Sequence, residues 1–173
     1  MRETLVELVD IARLSPSAAN LQPLRYALSC DAAKNELVFP HLRWEGYLKD
    51  WRGPSEGEKP TAYIIILGDT KNGKYLISKT IGCDHGIAAQ SILFGAREAG
   101  LAGCIIGSID RKGLKKALNI PRQYEILLVL ALGQPKEEIV IEEIEKKGEI
   151  KYWRDKDSRH HVPKRRLEDV IIE

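Results

Sequence analysis

The stretch SPSAANLQPLRY, residues 15–26, decides how the rest of the chain is read. It follows an amphipathic helical pattern and leads into a strand pattern, yet it suits neither. Pro16 and Pro23 lack a backbone N–H and would interrupt a helix interior or a central strand. Ser15, Ser17 and Asn20 are turn and cap formers. The stretch is predicted to be a loop between two rigid elements, where binding groups concentrate. The plainer alternative is a helix C-terminus followed by an ordinary turn.

On its N-terminal side, Leu5, Leu8, Val9 and Ala12 recur at helical spacing opposite Glu3, Glu7 and Asp10, which predicts a short helix with one buried stripe. On its C-terminal side, residues 25–30 and 36–39 read as two short strands. DAAKN, residues 31–35, is the expected turn of a hairpin between them. Trp44, Tyr47 and Trp51 follow in a loop-rich region whose centre, residues 43–51, predicts a short helix. On the residues alone they are expected to cap the core.

TAYIIIL, residues 61–67, predicts a strand buried on both faces. Residues 81–100 hold the longest helical pattern, with Ile87, Gln90, Ser91 and Phe94 beside the small residues Ala88, Ala89, Gly95 and Ala96. The small residues allow another element to approach closely, and Gly100 is the expected stop. Residues 102–106 predict a strand ending at Gly107 and Ser108. Asp110 is expected to cap a helix running to Leu118. Residues 126–132 form a second apolar strand pattern closed by Gly133 and Pro135. From Lys136 the chain is highly charged as far as Tyr152 and Trp153, then ends in HHVPKRR, residues 160–166, and a last apolar strand or turn. With no repeat and no linker, residues 1–173 are expected to form one domain.

Composition limits the function classes. Hydrophobic residues make up 43% and charged residues 30%, as in ordinary globular proteins. The net charge of +2 is a near balance of 27 basic and 25 acidic side chains, which argues against a nucleic-acid surface. Cys30, Cys83 and Cys104 are too few and scattered for a disulfide framework. The N-terminus has no signal-peptide pattern, and no apolar run approaches the roughly 20 residues of a membrane span. A soluble cytoplasmic protein is expected, with no membrane partner.

GDTKNGK, residues 68–74, satisfies seven positions of the phosphate-binding P-loop pattern directly after a strand. Tyr75 stands where that pattern needs a magnesium-binding hydroxyl, so a solvated turn is the better reading. Cys83, Asp84 and His85 form no zinc pattern, and Asp84 reads as an acid placed favourably at a helix start. GxSxG, CxxC and GxGxxG are absent, and no carboxylate stands isolated like a tuned acid or base. No side chain is assigned as catalytic and no metal is expected. An enzyme of this kind would leave the hard step to a cofactor.

Five segments in order, SPSAANLQP (15–23), DHGIAAQSILFGAREAGLAGC (84–104), CIIGSID (104–110), LLVLALGQP (127–135) and VPKRRLEDVI (162–171), resemble the FMN-dependent nitroreductase family. The resemblance implies an α+β nitroreductase-like fold, a mixed central sheet flanked by helices, with two flavin sites at a homodimer interface. It places the 81–100 helix at that interface, and it offers for Trp44, Tyr47 and Trp51 the alternative of covering the substrate pocket. It implies FMN as cofactor, NAD(P)H as electron donor and a nitroaromatic, quinone or similar small molecule as acceptor, in a ping-pong scheme. The alternative is a flavin-binding protein without NAD(P)H turnover.

By the same resemblance, Pro16, Ser17 and Asn20 reach the flavin from the partner subunit. Ile106, Gly107 and Ser108 form a turn whose N–H groups face the ring, and Lys164 and Arg165 hold the phosphate. Independently, adjacent cations pair well with phosphate oxygens. The family also carries a preceding helix with an Arg-Ser-x-Arg type segment, whereas this sequence starts at what would be the next helix. Arg2 and Arg13 stand in no equivalent motif. Either the natural start lies outside this sequence or the phosphate is held with fewer contacts.

Overall fold

The computed structural model describes residues 1–44, 46–48, 51–71, 81–145 and 147–172, with Ile81 and Gly82 as backbone alone. The chain divides into two compact units, Met1–Arg43 with Pro54–Pro135, and Trp44–Gly53 with Lys136–Glu173.

The first unit is built on a four-stranded antiparallel sheet in the order β1-β2-β4-β3, from β1 (Leu24–Ser29), β2 (Ala62–Asp69), β3 (Ala102–Ile106) and β4 (Tyr124–Gly133). As residues 61–67 predict, β2 is central and buried from Ala62 through Leu67. Alternation divides its side chains between two apolar layers. Ala62, Ile64 and Ile66 join Leu130 and Leu132 of β4 in a core shared with Leu5, Leu8 and Ala12 of α1 (Arg2–Arg13) and Ala88, Ala89, Ile92 and Ala96 of α3 (Ile81–Glu98). α2 (Ala32–Val38) packs on β2 and on α4 (Arg111–Ala117), and Val38 and Leu114 are fully buried. Each fully buried Ile or Leu here contributes on the order of 1.5–3 kcal/mol relative to exposure.

The small residues of α3 serve this core. A Cβ on Gly95 would lie 2.7 Å from Ile11 Cδ1 and 2.9 Å from Leu8 Cδ2, so the close approach is made by α1 of the same chain. The helix stops as expected. Gly100 has φ +74°, while Leu101 N–H donates to the Ala96 carbonyl at 2.8 Å and Gly100 N–H to that of Arg97 at 3.1 Å. That is the Schellman pattern, which favours glycine at the left-handed position.

The expected hairpin after residue 30 is not formed. Residues 36–39 are not a strand, because Asp31 caps α2 by accepting from Lys34 N–H at 2.8 Å. Ala32, Ala33, Lys34, Glu36 and Leu37 are strong or adequate helix formers, and an N-cap in front of them outweighs the turn signal of Asp31 and Asn35. No helix occurs among the described residues of 43–51, where Gly46 and Tyr47 form a turn. Residues 72–75 of the P-loop-like stretch lie outside the described residues.

The second unit contains a three-stranded sheet ordered β5-β7-β6. β5 (Ile139–Ile144) is parallel to β7 (His160–Arg165), and β6 (Trp153–Arg154) is antiparallel to it. β5 lies in what reads as a charged tail, and its burial alternates, with Val140, Glu142 and Ile144 on one half-buried face. The antiparallel and mixed sheets with their helices make the fold α+β, as expected. Among the described residues no helix is long and apolar enough to cross a membrane.

Candidate functional site

Residues 15–23 leave α1 and enter β1 as a fixed loop, the predicted alternative to regular structure. Ser17 Oγ donates to Asp84 Oδ2 at 2.7 Å, and Ala18 N–H donates to Asp84 Oδ1 at 3.1 Å. Ser17 Oγ in turn accepts from Gln22 N–H at 2.9 Å, closing the loop on itself. Ser15 Oγ lies 2.8 Å from Ser91 Oγ on α3. Between these pins Ala19, Asn20 and Gln22 have φ of 49°, 54° and 49°. Left-handed conformations of non-glycine residues cost roughly 1–3 kcal/mol each and persist where surrounding contacts impose them.

Asp84 imposes much of this. Its carboxylate is 4% exposed, in the first turn of α3, where the helix dipole favours an anion. Both oxygens are taken by the loop, and hydrogen bonds to a charged group contribute about 1.5–3 kcal/mol each. Tyr26 lies close by, its pKa pushed up by burial and by the negative charge of Asp84, so it is a neutral phenol. These groups line a surface cavity of about 150 Å³ with Arg13, Pro16, Gln22 and Ala88. Asn20 is exposed, and its side-chain oxygen accepts from Gln22 Nε2 at 3.2 Å.

The glycine turn leaves β3 at the same end of the sheet. Ile106 is buried, while Gly107 and Ser108 are exposed. Gly107 does not have a positive φ, and a Cβ placed on it would meet only Leu128 Cδ2, at an ordinary 3.8 Å. Neither conformation nor packing within this chain calls for glycine here. The open face leaves room for close approach from outside. The turn is otherwise well held. Arg43 N–H donates to the Ser108 carbonyl at 3.0 Å, Asp110 N–H to that of His41 at 2.8 Å, and Asp110 caps α4 through Gly113 N–H at 3.0 Å. That Gly113 bond, and then His41, hold the Asp110 carboxyl below its usual range.

One chain does not bring the loop and the turn together. Leu24 pairs with Gly68 and Ile106 pairs with Val129, so both segments lie at one end of the sheet, but β1 and β3 are its opposite edges. Three strand spacings separate them, about 14 Å.

Lys164 and Arg165 end β7 in the second unit, exposed, opposite Glu143 and Ile144 of β5. Beside them is a charge network that the sequence reading leaves unassigned. His161 Nδ1 lies 2.7 Å from Glu142 Oε1 and its Nε2 lies 3.3 Å from Asp155 Oδ2, with Trp153 stacked on the ring at 4.0 Å. Carboxylates at both nitrogens favour the doubly protonated ring. Burial pulls the His161 pKa down, but the bonds to Glu142 and Asp155 outweigh it and the net shift is upward. Trp51 lies against the Arg154 guanidinium at 4.4 Å and Tyr47 against Tyr152 at 4.9 Å, so these aromatics pack within the second unit.

Asp84 is legible in the sequence as an acid at a helix start, but its bonds to Ser17 and Ala18 are not. Nothing in the sequence marks Arg111, whose guanidinium donates to three backbone carbonyls around the glycine turn. Cys83 and Cys104 are exposed thiols, and among the described residues no group of three His, Cys, Asp or Glu could hold a metal.

Comparison with known proteins agrees with this architecture. The model of the nitroreductase family matches residues 1–134. A 5,6-dimethylbenzimidazole synthase of Rhodospirillum rubrum is 25% identical over 84% of this chain and 78% of its own length. An Archaeoglobus fulgidus protein, named for NADH dehydrogenase or NAD(P)H nitroreductase activity, is 26% identical over 79% of this chain and 75% of its own length. Among solved structures, a nitroreductase family protein from Clostridium novyi superposes with a TM-score of 0.65 at 22% identity, covering 79% of this chain and 76% of its own. An FMN-dependent nitroreductase from Clostridium difficile gives 0.60 at 21% identity, covering 80% and 78%.

Proposed function

Because the chain belongs to the nitroreductase family, we propose that it is an FMN-dependent oxidoreductase working as a homodimer in the cytoplasm. Bound FMN supplies the two-electron transfer from NAD(P)H to a nitroaromatic, quinone or similar small-molecule acceptor, in a ping-pong cycle. The chain's own residues bind and orient. Gly107 and Ser108 offer backbone N–H donors to the electron-rich reduced ring, with Ile106 as the buried anchor of that turn. Pro16, Ser17 and Asn20 shape the loop that reaches the flavin of the other subunit, where the Asn20 amide can both donate and accept. Lys164 and Arg165 hold the phosphate by charge-assisted hydrogen bonds. Residues 1–173 act as one domain in this reading.

The observation that carries the proposal is the open face at Gly107, a glycine that nothing in its own chain requires and that fits the close approach of a flat ring. The roughly 14 Å across β2 and β4 that separates loop from turn supports the two-subunit site, since one chain does not bring both to the same ring. The FMN-dependent relative of the same fold supports the choice of flavin.

The visible absorption spectrum of the purified protein tests the reading. Flavin bands are expected, either as isolated or after adding FMN, and heat should release FMN and not FAD. Protein that stays colourless with added FMN would sink it. Flavin binding with no NAD(P)H oxidation would reduce the function to flavin binding alone.

A further inference from the structure

Arg111 opens α4 and reaches back across the exit of β3. Its Nε donates to the Ile126 carbonyl at 2.9 Å, and its Nη2 to the carbonyls of Gly107 at 3.1 Å and Leu127 at 3.2 Å. One guanidinium thus ties the glycine turn to the first residues of β4. A planar fork with several donors suits such a contact, and a lysine ammonium cannot reproduce it.

A trans peptide is planar, with its C=O and N–H pointing in opposite directions. Fixing the Gly107 carbonyl on Arg111 therefore fixes the Ser108 N–H on the other side, away from the guanidinium. The following peptide is held as well, because the Ser108 carbonyl accepts from Arg43 N–H at 3.0 Å. Gly107 is the weak joint on the other side of the Gly107–Ser108 peptide. Without a Cβ it gives the peptide the most freedom to turn over, which would put a carbonyl oxygen where the N–H had been.

We propose that Arg111 is a positioning residue for the flavin: it holds the Gly107–Ser108 peptide with its N–H outward, and so makes the site favour reduced over oxidised FMN. The inference rests on the FMN reading above. A fixed donor stabilises the electron-rich reduced ring and costs no reorganisation when the electrons arrive. A carbonyl turned to the same place would oppose that charge.

The test measures affinities for oxidised and reduced FMN, and the two-electron midpoint potential of the bound flavin, in wild type, Arg111→Ala, Arg111→Lys and Lys112→Ala. Arg111→Ala should lose about tenfold more affinity for reduced than for oxidised FMN, which lowers the potential by about 30 mV. Arg111→Lys keeps the charge but cannot span the three carbonyls, so its potential should fall in the same direction. Lys112→Ala removes a neighbouring cation that makes none of these contacts, and its potential should stay at the wild-type value.

An unmoved potential in Arg111→Ala overturns the proposal while leaving the FMN reading intact. So does a wild-type potential in Arg111→Lys beside a lowered one in Arg111→Ala, because charge alone would then be responsible. If Arg111→Ala does not fold, the Arg111→Lys value decides. Wild-type protein that binds no FMN in either redox state overturns both readings together.

Discussion

At the scale of single residues, Gly107 and Asp84 make opposite predictions about what a substitution damages. A methyl group at Gly107 has room within the chain, so Gly107→Ala should leave the unfolding free energy in urea within the small range of a neutral surface change, about ±0.5 kcal/mol. It should nevertheless weaken FMN binding by about 1–3 kcal/mol, the cost of overfilling a packed site. FMN bound as tightly as in wild type would show that the space is not the ring's. Asp84→Ala strands the Ser17 hydroxyl and the Ala18 N–H and frees a loop held in left-handed conformations. A loss of about 3 kcal/mol in urea denaturation is expected, with a smaller loss for Asp84→Asn, which keeps an acceptor for Ala18 N–H. Equal losses in the two variants would mean that the loop does not depend on that acceptor.

The elements show where local chemistry settled a choice and where it did not. α1, β2, α3 and β4 follow the spacing of their apolar residues, because each buries a continuous stripe or face, while α4 follows its Asp110 cap. α2 was misread since Asp31 and Asn35 serve equally well in a turn and at a helix end, and seven residues are too few for periodicity to arbitrate. In the small sheet a single imidazolium links elements. His161 of β7 contacts Glu142 of β5 and Asp155, which follows β6. The fold raises the His161 pKa above 6.5, so its contribution to stability is complete below that value and fades as pH rises through the folded pKa. Burial pushes the Asp155 pKa up, but hydrogen bonds, led by the Arg159 N–H and then His161, bring it down to about 2. Its contribution is therefore present above 3.8 and is lost as pH falls through that value toward about 2. Stability of this unit should peak between 3.8 and 6.5, followed by the fluorescence of Trp153, which stacks on His161. His161→Gln should remove the decline on the alkaline side. An unchanged alkaline limb in that variant would show that another group causes it.

For the whole molecule, the expected active species is a dimer whose sites draw on both subunits. Asn20→Ala and Lys164→Ala should each impair FMN-dependent activity, Lys164→Ala by weakening the phosphate contact by about 1.5–3 kcal/mol. Mixing the two impaired proteins should restore activity, since one site of each mixed dimer receives both intact groups. No recovery after verified subunit exchange would mean that both residues serve their own chain's site.

The sequence by itself determined α1, β2, α3, α4 and β4, and the resemblance from which the α+β class and the cofactor reading follow. These follow from side-chain spacing and from short motifs whose residues are neighbours in the chain. Only the tertiary structure decided that the small residues of α3 receive α1, that Asp84 pins a strained loop, that Gly107 faces open space and that Arg111 grips the turn. The physical reason is separation along the chain. Asp84 meets Ser17 from 67 positions away, and the carbonyls that bind Arg111 come from the turn before α4 and from β4 after it. Such contacts exist only once the sheet and its helices have packed, and no local pattern of residues encodes them.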